Sequence, residues 1–277
     1  MLKGNKRLLI LGFILLAWLV LMYVLPYFFT DSITKVDLGH ALQGPSQSEW
    51  FGTDALGRSV FARVMSGGRE SIFSGLLVLF TIVTIGSLIG ISSGLVGGKV
   101  DQVILLIITA FQAFPAIVLV IAIVGILGVG LQQTVLAMCM VAWTKYAYLT
   151  RSITLQLKEE SYIKSAKMYG NGFWATITNY YIPMIKPQIL TTMSFDIGIV
   201  IMEISGLSFI GLGAQVPSPE WGTMINDGRI YIQEAPWIVI FPCIMLMITI
   251  LLFTKFGDEL KKHYNNEVTD FPLQLSE

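Results

Sequence analysis

Asp196 and Glu203 are the residues of this 277-residue chain whose type and setting most suggest chemistry: both are carboxylic acids inside a long apolar run. Their separation is about two helical turns, so on a helix they share a face. Ionisable groups in membrane-embedded runs usually line a cavity or pair with one another. A face carrying both carboxylates would border a pathway and favour a cationic solute, such as a metal ion, a metal chelate or the amino terminus of a peptide. The competing reading is that one or both pair with an arginine or bond to loop backbone near the ends of the run. Phe111, Phe114 and Met202 read first as packing residues and second as lining of the same path.

Other chemistry is poorly provided for. His40 and His263 are far apart, and Cys139 and Cys243 sit inside apolar runs as small buried hydrophobes, so no metal site is expected. No H-E-x-x-H or G-x-S-x-G occurs, and no nucleophile is set beside a base, which argues against a membrane-embedded hydrolase. The stretch "GGKVD" at 97–101 lacks the first glycine and the hydroxyl residue of a P-loop, so this chain is not expected to bind ATP by one.

The elements that must position these residues follow from composition. With 54% hydrophobic and 13% charged residues, and a mean hydropathy of +0.70, the chain suits the bilayer as solvent. Eighteen basic residues balance eighteen acidic ones, so no basic excess points to nucleic acid. Apolar runs at 8–29, 71–96, 103–127, 134–150, 189–210 and 237–256 predict an all-α polytopic protein with six transmembrane helices in one domain spanning 1–277. The first run follows Lys3, Lys6 and Arg7 and lacks a small-residue cleavage site, so it reads as a retained span. The 134–150 run is the weakest, with Lys145 placed to snorkel and Tyr146 and Tyr148 to mark an interface. Placing both termini in the cytoplasm puts most Lys and Arg inside and leaves Lys35, Arg58, Arg63, Arg69 and Arg229 outside, as the positive-inside rule favours. There is no clear inverted repeat or chain of intramembrane relay residues, as a secondary transporter driven by an ion gradient would want.

The same rule puts the 151–187 loop in the cytoplasm. There Tyr162, Ala166, Tyr169, Phe173 and Ile177 recur at spacings of three and four, which predicts an amphipathic helix or two. Gly170 and Gly172 predict a bend near 170, because glycine costs about 1 kcal/mol relative to alanine inside a helix. Pro183 and Pro187 mark the return towards the membrane. Such a segment either lies on lipid headgroups or presents a knob to the groove of a cytosolic partner.

Tyr162, Ala166 and Gly170, followed by Pro183 and Pro187, resemble the cytoplasmic coupling motif of ABC importer permeases. "FGTDALGRSVFARVMSGGRES" (51–71), "GGKVD" (97–101), "AFQAFPAIVL" (110–119), "LSFIGLGAQVPSPEWGTMINDGR" (207–229) and "GDEL" (257–260) are similar, in order, to signatures of the oligopeptide, dipeptide and nickel branch. The resemblance covers nearly the whole chain. Residues 196–215 and 224–232 look more like nickel and metal-chelate permeases than dipeptide ones. Departures exist: Lys164, Ser165 and Ala166 stand where Glu-Ala-Ala is common, Tyr180 replaces a histidine, and Leu106 and Thr109 replace an arginine and an aspartate. Ser59 and Ala62 likewise stand where aspartate and serine are usual. The resemblance implies a type I ABC importer permease fold and half of a pathway for nickel, a metal chelate or, alternatively, oligopeptides and dipeptides. It implies a homologous second permease subunit, two cytosolic ATPase subunits using ATP and Mg, and an extracytoplasmic substrate-binding protein. It also implies that Tyr162, Ala166, Tyr169, Gly170, Phe173 and Pro183 couple to the ATPase, with no cofactor or catalytic residue in this chain.

Overall fold

In hydrocarbon a backbone must satisfy its own polar groups, so long apolar runs become helices. The structure, a computed structural model, describes residues 2–29 and 33–269. Residues 1, 30–32 and 270–277 of the expected 1–277 domain lie outside the described residues. Among the described residues there are helices but no strand; one isolated bridge joins Thr53 and Ser59.

The principal helices are α1 (Leu2–Val24), α2 (Val60–Val96), α3 (Gly98–Gln112), α4 (Ala116–Leu127), α5 (Leu131–Glu159), α6 (Ser161–Met168), α7 (Phe173–Thr176), α8 (Ile182–Phe209), α9 (Trp221–Gly228) and α10 (Trp237–Thr269). A π-helical turn, Ile177–Tyr181, makes α7 run on into α8. Helix α2 starts eleven residues before the expected 71–96 span, and α5 runs nine residues past 150 into the expected loop.

Among the described residues four stretches are long and apolar enough to cross a membrane: Lys6–Phe28, Val60–Val96, Phe173–Phe209 and Trp237–Tyr264. The pair α3 and α4, bent by 87° at residues 113–115, makes a fifth if it counts as one span. The bend has a local cause: Pro115 lacks an N–H, and proline disfavours helical backbone in the residue before it. The expected sixth span lies in α5, whose 29 residues would reach about 43 Å at about 1.5 Å each. Its charged and hydroxyl residues keep it below the same apolarity, so the six-span count is met in length but not in hydropathy.

Helices α2 and α5 run parallel at close range. Gly86, Gly90 and Gly94 of α2 face α5; a β-carbon there would sit 2.5 Å from the Trp143 carbonyl, 2.2 Å from the Ala147 carbonyl and 2.8 Å from Thr154 Cβ, respectively. Small residues four apart allow such backbone approach where lipid supplies no hydrophobic drive between helices. Helix α10 packs antiparallel on α1, where the Trp18 indole donates to Thr249 Oγ1 at 3.0 Å, and on α8, where Gly198 meets Ile250 and Gly257 meets Ser194.

Both ends of the bundle are pinned by polar contacts. The end holding the 161–181 segment also carries Lys99, Arg151 and Lys158 and is called here the basic end. There Arg151 of α5 donates to both oxygens of Asp101 at 2.5 and 2.6 Å, and Ser93 Oγ adds a bond of 2.6 Å. At the opposite end the fully buried Glu220 caps α9 by accepting from the N–H groups of Gly222 and Thr223, and it accepts the hydroxyls of Ser71 and Ser205. Beside it the Trp221 indole donates to the Val64 carbonyl at 2.9 Å.

Candidate functional site

Two places bring the sequence-predicted residues together. The first is a cavity of about 300 Å³ at the α3–α4 bend, between α5 and α8. Its wall includes Phe111, Gln112 and Phe114 from the bend, Ala142 and Lys145 from α5, and Asp196, Ile199 and Glu203 from α8. Asp196 and Glu203 do share a helix face, and Phe111 and Phe114 join them. Met202 does not: it is exposed and absent from the lining. One residue along the helix turns a side chain by about 100°, which carries Met202 off the face of Glu203.

Asp196 is held by two consecutive residues of α5. Lys145 Nζ lies 2.7 Å from its Oδ1, and the buried Tyr146 hydroxyl donates to Oδ2 at 2.8 Å. The carboxylate therefore pairs with a lysine and a tyrosine of a neighbouring helix, not with an arginine or loop backbone. Lys145, read from sequence as an interfacial snorkeller, is the partner that sequence reasoning missed; its separation of 51 residues from Asp196 leaves no local signal. Glu203 is exposed to the cavity and makes no hydrogen bond or ion pair within the described chain. The wall thus displays one cation and two carboxylates.

The second place is the basic-end knob. Helix α6 ends at Met168 and the chain turns at Gly170, whose φ of +82° is a left-handed position that glycine takes without steric cost, with the Asn171 N–H closing back on the Ala166 carbonyl at 3.2 Å. The bend expected near 170 is there. Ile163 and Ala166 point inward, where Ile163 joins Leu157, Tyr181 and Ile185 in a small separate core. Tyr169 is 90% exposed, Met168 88%, Trp174 75% and Phe173 62%. Tyr162 is at the margin, 38% exposed and stacked on Tyr180 at 6.4 Å, and burial pushes its hydroxyl pKa up. The expected face of Tyr162, Ala166, Tyr169, Phe173 and Ile177 is therefore split: Ala166 turns inward with Ile163, Tyr169 and Phe173 stay exposed on either side of the turn at Gly170, and Ile177 is half-buried. Pro183, exposed, opens α8; it has no N–H for the Asn179 carbonyl four residues back, which falls in the wider π turn. Beside the knob Lys164 bonds Glu159 at 2.9 Å and holds that carboxyl below the usual range.

Residues 86–265, which carry the bend, the cavity and the knob, match the sequence family described as binding-protein-dependent transport system inner membrane component. The chain belongs to that family.

The permease is 34% identical over 256 residues to the nickel transport system permease protein NikC of Escherichia coli (strain K12), covering 92% of this chain and 91% of that one. It is 36% identical to the probable D,D-dipeptide transport system permease protein DdpC of the same organism, covering 94% and 88%. Against the dipeptide transport system permease protein DppC of Alkalihalophilus pseudofirmus identity is 37%, covering 94% and 86%. Its fold is similar to a chain of the MetNI methionine ABC transporter solved in inward-facing conformations, with a TM-score of 0.60 at 16% identity over 73% of this chain and 96% of that one. The protein is a membrane permease subunit of ABC importers and not an enzyme; ATP hydrolysis resides in a separate subunit, and a second permease subunit is implied. Membership sets aside the gradient-driven transporter and the membrane hydrolase.

Two features of the permease bear on its sequence departures. Leu106 and Thr109, where the resemblance leads one to expect an ion pair, both lie exposed on α3, and the Thr109 hydroxyl returns to the Leu105 carbonyl at 2.9 Å. Losing both charges together leaves neither unpaired. At the opposite end a second cavity, about 380 Å³, is lined by Arg58, Arg63, Asp227 and Arg229, with Asp54 accepting from Arg58 Nε at 2.7 Å.

Proposed function

We propose that this permease forms half of the pathway of an importer fed by an extracytoplasmic binding protein, with its termini and the 161–181 knob in the cytoplasm. The exposed Met168, Tyr169, Phe173 and Trp174 dock in a groove of one of two cytosolic ATPase subunits, which use ATP with Mg. The observation that carries this reading is their exposure beside a glycine turn at the basic end: an apolar helical knob left uncovered by the described residues suits a helix-in-groove contact. Tyr162, Ala166, Gly170 and Pro183 act from behind, seating the knob and joining it to α8.

The cargo passes the cavity at the α3–α4 bend, and two carboxylates against one lysine favour a solute with a cationic group. Nickel, a metal chelate and the amino terminus of a short peptide all meet that description. Among the described residues no three His, Cys, Asp or Glu side chains converge, which favours a chelated over a naked ion.

The test is uptake of labelled nickel, with and without chelators, against uptake of short peptides, in cells with and without this gene. Selective loss of one cargo assigns it. The docking reading is checked by replacing Tyr169 and Trp174 with serine together: the subunit should insert normally and lose its ATPase partners on purification. Full retention of those partners and of uptake would refute the knob.

A further inference from the structure

The two partners of the cavity's ion pair are unequally placed. The Asp196 side chain is 8% exposed and both its oxygens are taken, whereas the Lys145 side chain is 57% exposed and lines the cavity. A cargo in the cavity therefore meets the ammonium, with the carboxylate behind it. An ammonium has three N–H donors, and Asp196 engages one. On the same wall Glu203 is exposed and unbonded within the described chain. The cavity thus presents one available charge of each sign.

We propose that Lys145 and Glu203 are specificity-determining residues that together select a small zwitterion, Lys145 bonding its carboxylate and Glu203 its ammonium. This rests on the reading that the cavity borders the pathway. Asp196 and Tyr146 are positioning residues: they hold Lys145 at the wall of an apolar membrane segment, where a lone ammonium would be costly. The volume of about 300 Å³ is at the small end of ligand pockets and suits a solute of amino-acid or dipeptide size.

The experiment uses the complete importer complex in liposomes and three probes: alanyl-alanine, its amide lacking the carboxylate, and its N-acetyl form lacking the ammonium. Because a binding protein screens cargo first, the readout is the change in uptake kcat/KM ratio between wild type and variant. Lys145→Met should erase about tenfold of the preference for the dipeptide over its amide and leave the preference over the N-acetyl form intact. Glu203→Gln should do the reverse, and Lys145→Arg should behave as wild type. Lys145→Met strands Asp196, so Lys145→Met with Asp196→Asn serves as the stable counterpart and should show the same loss against the amide.

Ratios unchanged in all variants would overturn the assignment, as would equal losses for both analogues, which mark a merely structural role. ATP-driven nickel uptake by a complex that ignores all three dipeptide probes would overturn the zwitterion and leave the importer reading standing. ATP-driven uptake of none of these solutes, nickel included, would overturn the zwitterion and the cationic-cargo reading together.

Discussion

Ser71 of α2 and Glu220 at the start of α9, 149 residues apart in sequence, are joined by a hydrogen bond of 2.8 Å between fully buried side chains. Glu220 also accepts from Ser205 of α8 and from the first N–H groups of α9, so one carboxylate ties three helices together at the end opposite the knob. The carboxylate has donors in place of a cation, which is how a buried anion is satisfied without an ion pair.

Removing that acceptor strands buried donors. Glu220→Ala should cost about 2–4 kcal/mol, the scale of several buried groups losing a charged partner together with a helix cap. Glu220→Gln keeps one acceptor oxygen and turns an amide NH₂ towards other donors, so it should fall about halfway between. Thermal unfolding of the purified complex in detergent gives the order wild type, Gln, Ala; an Ala variant as stable as wild type would contradict the pin.

The α2–α5 contact gives a paired prediction. A β-carbon on Gly90 would lie 2.2 Å from the Ala147 carbonyl, so Gly90→Ala must push two long helices apart and should cost about 1–3 kcal/mol. Gly206, within helix α8, has no atom within 4 Å of its would-be β-carbon. Gly206→Ala should therefore be neutral or stabilise by up to about 1 kcal/mol through helix propensity. The same unfolding assay, run on both variants, separates close approach from a general sensitivity of glycines.

The helical architecture, the bend near Gly170 and the meeting of Asp196, Glu203, Phe111 and Phe114 were legible because each follows from hydropathy, from a glycine, or from periodicity within one segment. The contacts that escaped depend on distant pairing. Nothing near Lys145 announces Asp196, and nothing near Arg151 announces Asp101, in each case across about 50 residues of chain. Glu220 looked like one letter of a motif, since only the fold brings Ser71 and Ser205 to it. Ala166 shares a helical spacing with Tyr162 and Tyr169 yet turns inward, because Ile163 three residues before it anchors that side of the helix in a small core. Met202 falls outside the cavity because one step along α8 turns its side chain about 100° from that of Glu203.

The basic-end pair tests one of those unread contacts. Asp101 and Arg151 bond through two N–H···O contacts at 13% exposure each, with Ser93 as a third partner of the carboxylate. Arg151→Met leaves that carboxylate with Ser93 alone and should cost about 2–4 kcal/mol, since breaking one side of a largely buried pair leaves a charge uncompensated. Arg151→Met combined with Asp101→Asn removes both charges and should recover at least about 1 kcal/mol of the loss. Simple addition of the two single-variant costs in a double-mutant cycle would show that the contact carries no coupling.

Gly170 separates backbone conformation from side-chain size in the knob. Its would-be β-carbon has open space, so a larger residue meets no obstacle within the chain, while φ +82° belongs to the left-handed region. A β-branched residue is strained there and asparagine is tolerated. Gly170→Val should shift the turn that aims Tyr169 and Phe173 and lower transport-coupled ATPase activity about tenfold or more, with about 1–2 kcal/mol of local strain. Gly170→Asn should retain most of the activity despite its bulk. The measurement is cargo-stimulated ATPase activity of the reconstituted complex, with insertion checked in parallel. If Asn and Val are equally damaging, the partner's groove and not the backbone sets the requirement for glycine; if both are harmless, the turn does not transmit the motion of the ATPase.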